Sequence, residues 1–250
     1  EAVPAEICAD PQTVAAADWV ILATKAHDVE SAAPWLERLD DGHCVLAVAQ
    51  NGIAHEARVR PVWAGPVVPT IVRFAARAVE RGRVTVTSDG SLTLPTTPDG
   101  LRCAALCAAA GFDVTTDDDF TSAIWNKLAY NITGNTLTTV LDVPVCELIA
   151  TPALRELIRA LLAECVAVGE AEGAVMDPEV GDKAIALFGS YDRSTLSSMH
   201  QDLRRGTPIE YRALTGALID RAEHHGIDVP SNRAIFALLE AIDHRDHRSR

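Results

Sequence analysis

With 250 residues, 48% of them hydrophobic and 23% charged, the chain has enough apolar content to bury one large core or two ordinary ones. A formal charge of −13 repels a phosphate backbone and argues against nucleic-acid binding, while leaving room for a local cationic pocket around a small anion. No apolar run approaches the ~18 residues of a membrane span, so a membrane partner is not expected.

From Ala17 to Ile71 short β-prone runs alternate with helical ones: "DWVILATK", "VESAAPWLERL", "HCVLAVAQNG", "IAHEARVRPVW", "GPVVPTIV". That rhythm predicts a parallel sheet with crossover helices. Next, "GRVTVTS" and "SLTLP", joined by Asp89-Gly90, predict a hairpin. The segment "DGLRCAALCAAAG" predicts a helix and "FDVTTDD" a closing strand, so residues 1–118 form an α/β domain. Past Asp119 the strand signal disappears. Helical stretches follow in "TSAIWNKLAYNITGNTLTTVL", "TPALRELIRALLAECVAVGEAEG", "GDKAIALFG", "SSMHQDLRRG", "PIEYRALTGALIDRAEHHG" and "NRAIFALLEAI", making residues 119–250 an all-helical domain. Thr151 with Pro152 marks one helix start, Gly173 and Gly226 mark helix ends, and "TPIE" predicts a capping box from Thr207 to Glu210. The tail "HRDHRSR" has no apolar period and is expected to fray.

In open parallel sheets ligands bind beyond the carboxyl ends of the strands, which draws attention to Lys25 and Asn51-Gly52. The ordinary alternative is a solvated lysine and a turn dipeptide. In "WNKLAYNITGN", Lys127, Asn131 and Asn135 drift by only about 80° over about 12 Å of helix, so they form one polar strip. Carboxamides, which both donate and accept, suit a small oxygen-rich ligand. A solvated face or interhelical hydrogen bonds would use the same residues. Glu210 reads equally well as the third residue of a capping box, and Ser198 as a helix cap. The six cysteines (Cys8, Cys44, Cys103, Cys107, Cys146 and Cys165) have neither C-x-x-C spacing nor adjacent histidines. Cys103 with Cys107, and His224 with His225, therefore read as core packing and a polar helix end rather than a metal site. Reduced thiols and the lack of a signal-peptide pattern predict a cytoplasmic protein.

Taken in order, "TKAHD", "QNG", "WNKLAYNITGN", "SSMHQDLRRGTPIE" and "GIDVPSN" resemble the ketopantoate reductase family, which joins a Rossmann domain to an all-helical domain. The resemblance covers about residues 17 to 242. It implies an NADPH-dependent reductase of a small 2-oxo acid, typically 2-dehydropantoate to pantoate, in pantothenate and coenzyme A biosynthesis. By the same resemblance Lys127 is the general acid, a role for which partial burial against Trp125 and neighbouring apolar residues is expected to lower its pKa. Glu210 is a second catalytic residue that also reaches the cofactor. Asn51, Asn131, Asn135, Thr195, Ser197 and Ser198 contact substrate. Lys25, Asn51 and Ala75 line the cofactor, no metal is implied, and helical surfaces serve for homodimerisation.

Two departures stand out. Where the family often has a further asparagine this chain has Val145, which leaves open a different 2-oxo acid. No G-x-G-x-x-G precedes the first strand, so a first βαβ unit of roughly 40 to 50 residues, with its pyrophosphate loop, is expected upstream. A non-catalytic metabolite-binding member of the fold is the alternative from another class.

Overall fold

The computed structural model describes residues 5–80 and 82–248. The chain divides into two compact units, Glu1–Asp118 and Asp119–Arg250.

In the first unit, strands β1 (Trp19–Leu22), β2 (Val45–Val48) and β3 (Val67–Pro69) pair in that order, all parallel. Helix α1 (Val29–Leu39) crosses from β1 to β2, and α2 (His55–Val59) from β2 to β3. All four residues of β2 are buried, as expected of a central parallel strand written as a continuous apolar run. Its side chains alternate between two cores. Leu46 and Val48 pack with Leu36 of α1 and with Trp63, whereas Val45 and Ala47 pack with Leu92, Leu94 and Cys103. Helix α2 is shorter than the sequence predicts, because Pro61 has no N–H to continue the ladder.

Beyond Thr70 the chain continues directly from β3 into β4 (Ile71–Val72), then into β5 (Ala75–Glu80), β6 (Arg83–Ser88) and β7 (Ser91–Pro95). Helix α3 (Pro98–Ala109) and strand β8 (Asp113–Asp117) close the unit. The expected hairpin between β6 and β7 does not form. Strand β6 pairs antiparallel with β5, while β7 joins a separate sheet, antiparallel to β4 and parallel to β8. The positive-φ turn between strands sits at Gly82 (φ +77°), not at Asp89-Gly90. Gly90 serves close approach instead: a Cβ there would lie 2.2 Å from the Arg73 carbonyl oxygen.

The second unit contains no strand among the described residues. Helix α4 (Phe120–Leu141) packs against α5 (Pro152–Ala171), α6 (Val180–Ser190), α7 (Ser198–Arg205) and α9 (Pro230–Arg248), with α8 (Ala217–His225) beside α5. Trp125, Leu128, Ile132 and Leu137 of α4 are almost wholly buried. Four buried threonines sit among them. Thr133, Thr136, Thr138 and Thr139 each donate to the carbonyl four residues back, which places their hydroxyl protons within the helix. The predicted caps form: the Thr151 hydroxyl accepts from Leu154 N–H at 3.2 Å, and Gly173 and Gly226 take the left-handed conformation at helix ends. Helix α9 runs to Arg248, well into the tail expected to fray, while residues 249–250 lie outside the described residues.

Gly90→Ala is expected to destabilise the first unit by about 1–3 kcal/mol, since the Arg73 backbone has to move. Thr151→Ala should cost the second about 1 kcal/mol. Denaturant unfolding of each variant against wild type checks both.

Candidate active site

Lys25 and Asn51 follow β1 and β2 at the carboxyl edge of adjacent parallel strands, and both are half-buried. Buried Gln50 fixes the two loops to each other. Its Nε2 donates to the Thr24 and Lys25 carbonyls at 3.1 and 3.2 Å, and its Oε1 accepts from Arg58 Nη1 at 2.9 Å. Arg58 also donates to the Asn51 carbonyl at 3.4 Å, and His55 Nε2–H donates to the Gln50 carbonyl at 2.7 Å. This network was not anticipated as functional. Its only sequence signal is the Gln preceding Asn51-Gly52, a residue type that says nothing about which carbonyls it will meet. Ala75, at the start of β5, is exposed. Lys25 and Asn51 supply the cation and the carboxamide that a dinucleotide's polar groups require, at the sheet edge where such ligands bind, so the donor set fits a nicotinamide cofactor.

In the second unit, Lys127, Asn131 and Asn135 lie half-buried along one side of α4, next to half-buried Ala123 and Tyr130. The neighbouring Asn126 provides a contrast. Its amide donates to the Ser122 and Val175 carbonyls and accepts from Asp177 N–H, so it is a structural tie. Asn131 and Asn135 are half-buried and have no side-chain hydrogen bond to protein among the described residues. Tyr130, one turn from Lys127, has its phenol pushed up chiefly by burial, and so it stays protonated at neutral pH.

Lys127 is half-buried, and helix geometry does not turn it toward Trp125. Residues two apart point about 200° away from each other on a helix. The Trp125 ring lies instead against Gly169 of α5, where a Cβ would come within 3.2 Å of it. Residues one turn from Lys127 on its own side of the helix are Ala123, Ile124, Tyr130 and Asn131.

The capping box is not formed either. Thr207 closes the previous helix: its N–H and hydroxyl both donate to the Asp202 carbonyl, beside left-handed Gly206. The next helix starts at Tyr211, and its first turns, Arg212–Gly216, are a π-helix. Glu210 is therefore outside the helix, buried, with its carbonyl accepting from Ala213 and Leu214 N–H. π-Turns are rare and concentrate at functional sites. Here the turn accommodates Tyr211, whose ring packs tilted by 55° against Phe236 with centroids 5.1 Å apart, and Gly216, where a Cβ would touch the same Phe236 ring.

The cap of α7 is Ser197 rather than Ser198. The Ser197 hydroxyl accepts from His200 N–H at 3.2 Å and lies 2.7 Å from the Thr138 hydroxyl. Because Thr138 gives its proton to the Gly134 carbonyl, Ser197 donates to Thr138. Ser198 is exposed, with no side-chain hydrogen bond among the described residues. Thr195 is half-buried, and its carbonyl accepts from Val145 N–H at 3.1 Å. All six cysteines are free thiols, and burial pushes Cys103 and Cys165 up to about 12. Among the described residues there is no metal-ligand cluster, and no helix is long and apolar enough to cross a membrane.

With strand-end polar residues in one unit and an open polar strip on a buried helix in the other, the architecture is that of a dinucleotide-dependent oxidoreductase. The chain belongs to the ketopantoate reductase family: residues 1–99 match "Ketopantoate reductase PanE/ApbA" and residues 119–243 match "Ketopantoate reductase PanE/ApbA C terminal". It is 32% identical over 236 residues to the 2-dehydropantoate 2-reductase of Caulobacter vibrioides, covering 94% of this chain and 81% of the relative. It superposes with a TM-score of 0.87 on the PanE/ApbA family ketopantoate reductase of Ralstonia eutropha JMP134, at 30% identity over 95% of this chain and 80% of the other. A D-mandelate dehydrogenase solved with NADH and anilino(oxo)acetate has the same fold (TM-score 0.83, 23% identity, 95% and 80% covered).

Gln50→Leu is expected to destabilise the first unit by about 1–3 kcal/mol, because it removes the acceptor of a guanidinium bond and the donor to two loop carbonyls. Denaturant unfolding measures this, and resistance of the 23–28 and 49–54 loops to proteolysis should fall with it.

Proposed function

We propose that this protein reduces 2-dehydropantoate to pantoate with NADPH, in pantothenate and coenzyme A biosynthesis, as a cytoplasmic enzyme. One observation carries the reading: two carboxamides with no side-chain hydrogen bond among the described residues, Asn131 and Asn135, share a half-buried strip with Lys127 on one side of α4. Family membership and the 2-dehydropantoate 2-reductase relative support it.

A bound nicotinamide supplies the hydride. The chain's own residues do the rest. Asn131, Asn135 and Ser198 donate to the substrate's carboxylate and exchange hydrogen bonds with its hydroxyl, with Thr195 and Ser197 shaping that end. The Lys127 ammonium stabilises the negative charge that develops on the carbonyl oxygen and transfers a proton to it, taking one back from water afterwards. Glu210, held outside its helix, accepts from the substrate hydroxyl or orients the lysine. Lys25, Asn51 and Ala75 hold the cofactor, and Asn51 also faces the substrate.

A second reading is reduction of a less hydroxylated 2-oxo acid, and Val145 favours it. That side chain is 6% exposed and apolar, so its position offers a substrate no polar contact. The D-mandelate dehydrogenase likeness supports the same reading, and its NADH leaves the second nicotinamide to be compared.

Lys127→Ala is expected to lower kcat by about 10²–10⁴-fold, read as oxidation of NADPH by ketopantoate in the full-length protein. An unchanged rate rejects the assigned role. Turnover of other 2-oxo acids but not ketopantoate selects the second reading, and parallel assays with NADH settle the cofactor.

A further inference from the structure

Helix α4 ends at Asp142 in the left-handed conformation (φ 53°), the only non-glycine with positive φ among the described residues. An aspartate is disfavoured here on two counts. Left-handed backbone costs energy in any residue with a Cβ, with Asn among those that tolerate it best, and a carboxylate at a helix C-terminus faces the negative end of the helix dipole. Two donors from α7 offset these costs. His200 Nε2 donates to Asp142 Oδ1 at 2.6 Å, and Arg204 donates to the same oxygen through Nε and Nη2 at 3.1 and 3.0 Å. Together they hold the Asp142 carboxyl below its usual range, His200 contributing most.

The two contacts differ in kind. Arg204 and Asp142 are both about half exposed or more, so water and salt screen that pair. The His200 ring is fully buried, and its Nδ1 has no partner in the structure. A carboxylate only accepts, so the ring must carry its proton on Nε2. His200 is thus held to α4 twice: by its ring through Asp142, and by its backbone N–H through Ser197 to Thr138. Thr138 is one turn beyond Asn135, and Ser198 directly follows Ser197. The clamp therefore sets where Ser198 stands relative to the carboxamide strip.

We propose that His200, acting through Asp142, is a positioning residue that holds Ser198 in register with Asn131 and Asn135 and so sets affinity for the polar end of the oxo-acid substrate. The inference rests on the reductase reading above. His200 touches none of the reacting atoms, so substrate affinity and not the proton transfer from Lys127 should depend on it.

The test compares His200→Leu, which keeps the bulk but removes the donor, His200→Gln, which restores an N–H donor, and Asp142→Asn, which keeps the left-handed cap but removes the charge. In the full-length protein His200→Leu should raise the oxo-acid KM about 10-fold, with kcat and the cofactor KM within about 3-fold of wild type. His200→Gln should recover most of the loss, and Asp142→Asn should move the same constant in the same direction. Ser198→Ala combined with His200→Leu should be little worse than Ser198→Ala alone, since both remove one contact. A folded His200→Leu enzyme with wild-type oxo-acid KM, or one whose kcat and cofactor KM shift equally, overturns the proposal, as does full additivity with Ser198→Ala. If His200→Leu fails to fold, Asp142→Asn carries the same comparison. Should wild type reduce no 2-oxo acid with either nicotinamide, the reductase reading fails by itself. Hydrogen exchange then tests the clamp: α7 amides should exchange faster in Asp142→Asn while those of α5 do not change, and equal exchange overturns it.

Discussion

The second unit depends on how α4 buries polar groups. Helix α4 packs against α5, α6, α7 and α9, yet its buried part contains four threonines within seven residues. Each hydroxyl donates to a carbonyl of the preceding turn, so the protons of these buried groups are placed within the helix itself, and Thr138 in addition accepts from Ser197. Asn126 is satisfied too, by the 175–177 segment. Asn131 and Asn135 are what remains. Both are half-buried and make no side-chain hydrogen bond to protein among the described residues, which leaves their amides available to water or to a ligand.

The same principle organises the sheet edge of the first unit. A buried Gln50 takes the loop carbonyls after β1 as acceptors and gives its own oxygen to Arg58, so the loops bearing Lys25 and Asn51 are joined by hydrogen bonds rather than by apolar packing. Such a network is rigid only while every member is present.

Glu210 shows a local motif being overridden by packing. A T-x-x-E sequence would normally spend its carboxylate on the helix N-terminus. Thr207 is instead drawn back to Asp202 by the Gly206 cap, and the packing of Tyr211 and Gly216 on Phe236 starts the next helix in a π-turn. Two tertiary demands, one at each end of the 207–210 segment, override the local motif.

The sequence by itself determined the alternation of strands and helices up to Asp117, the purely helical character after it, the caps at Thr151, Gly173 and Gly226, and the strip of Lys127, Asn131 and Asn135. These are properties of period and local backbone preference, which a short window of residues carries in full. It did not determine which strand pairs with β6, because a turn dipeptide cannot register that Arg73 passes 2.2 Å from where a Gly90 Cβ would be. Nor did it reveal that Trp125 faces Gly169, that Gln50 joins two loops, or that Asp142 meets His200 58 residues away. Each of these depends on which side chains the folded chain brings within about 3 Å of one another, and hydrogen bonds and close packing at that range are satisfied only after distant segments have met.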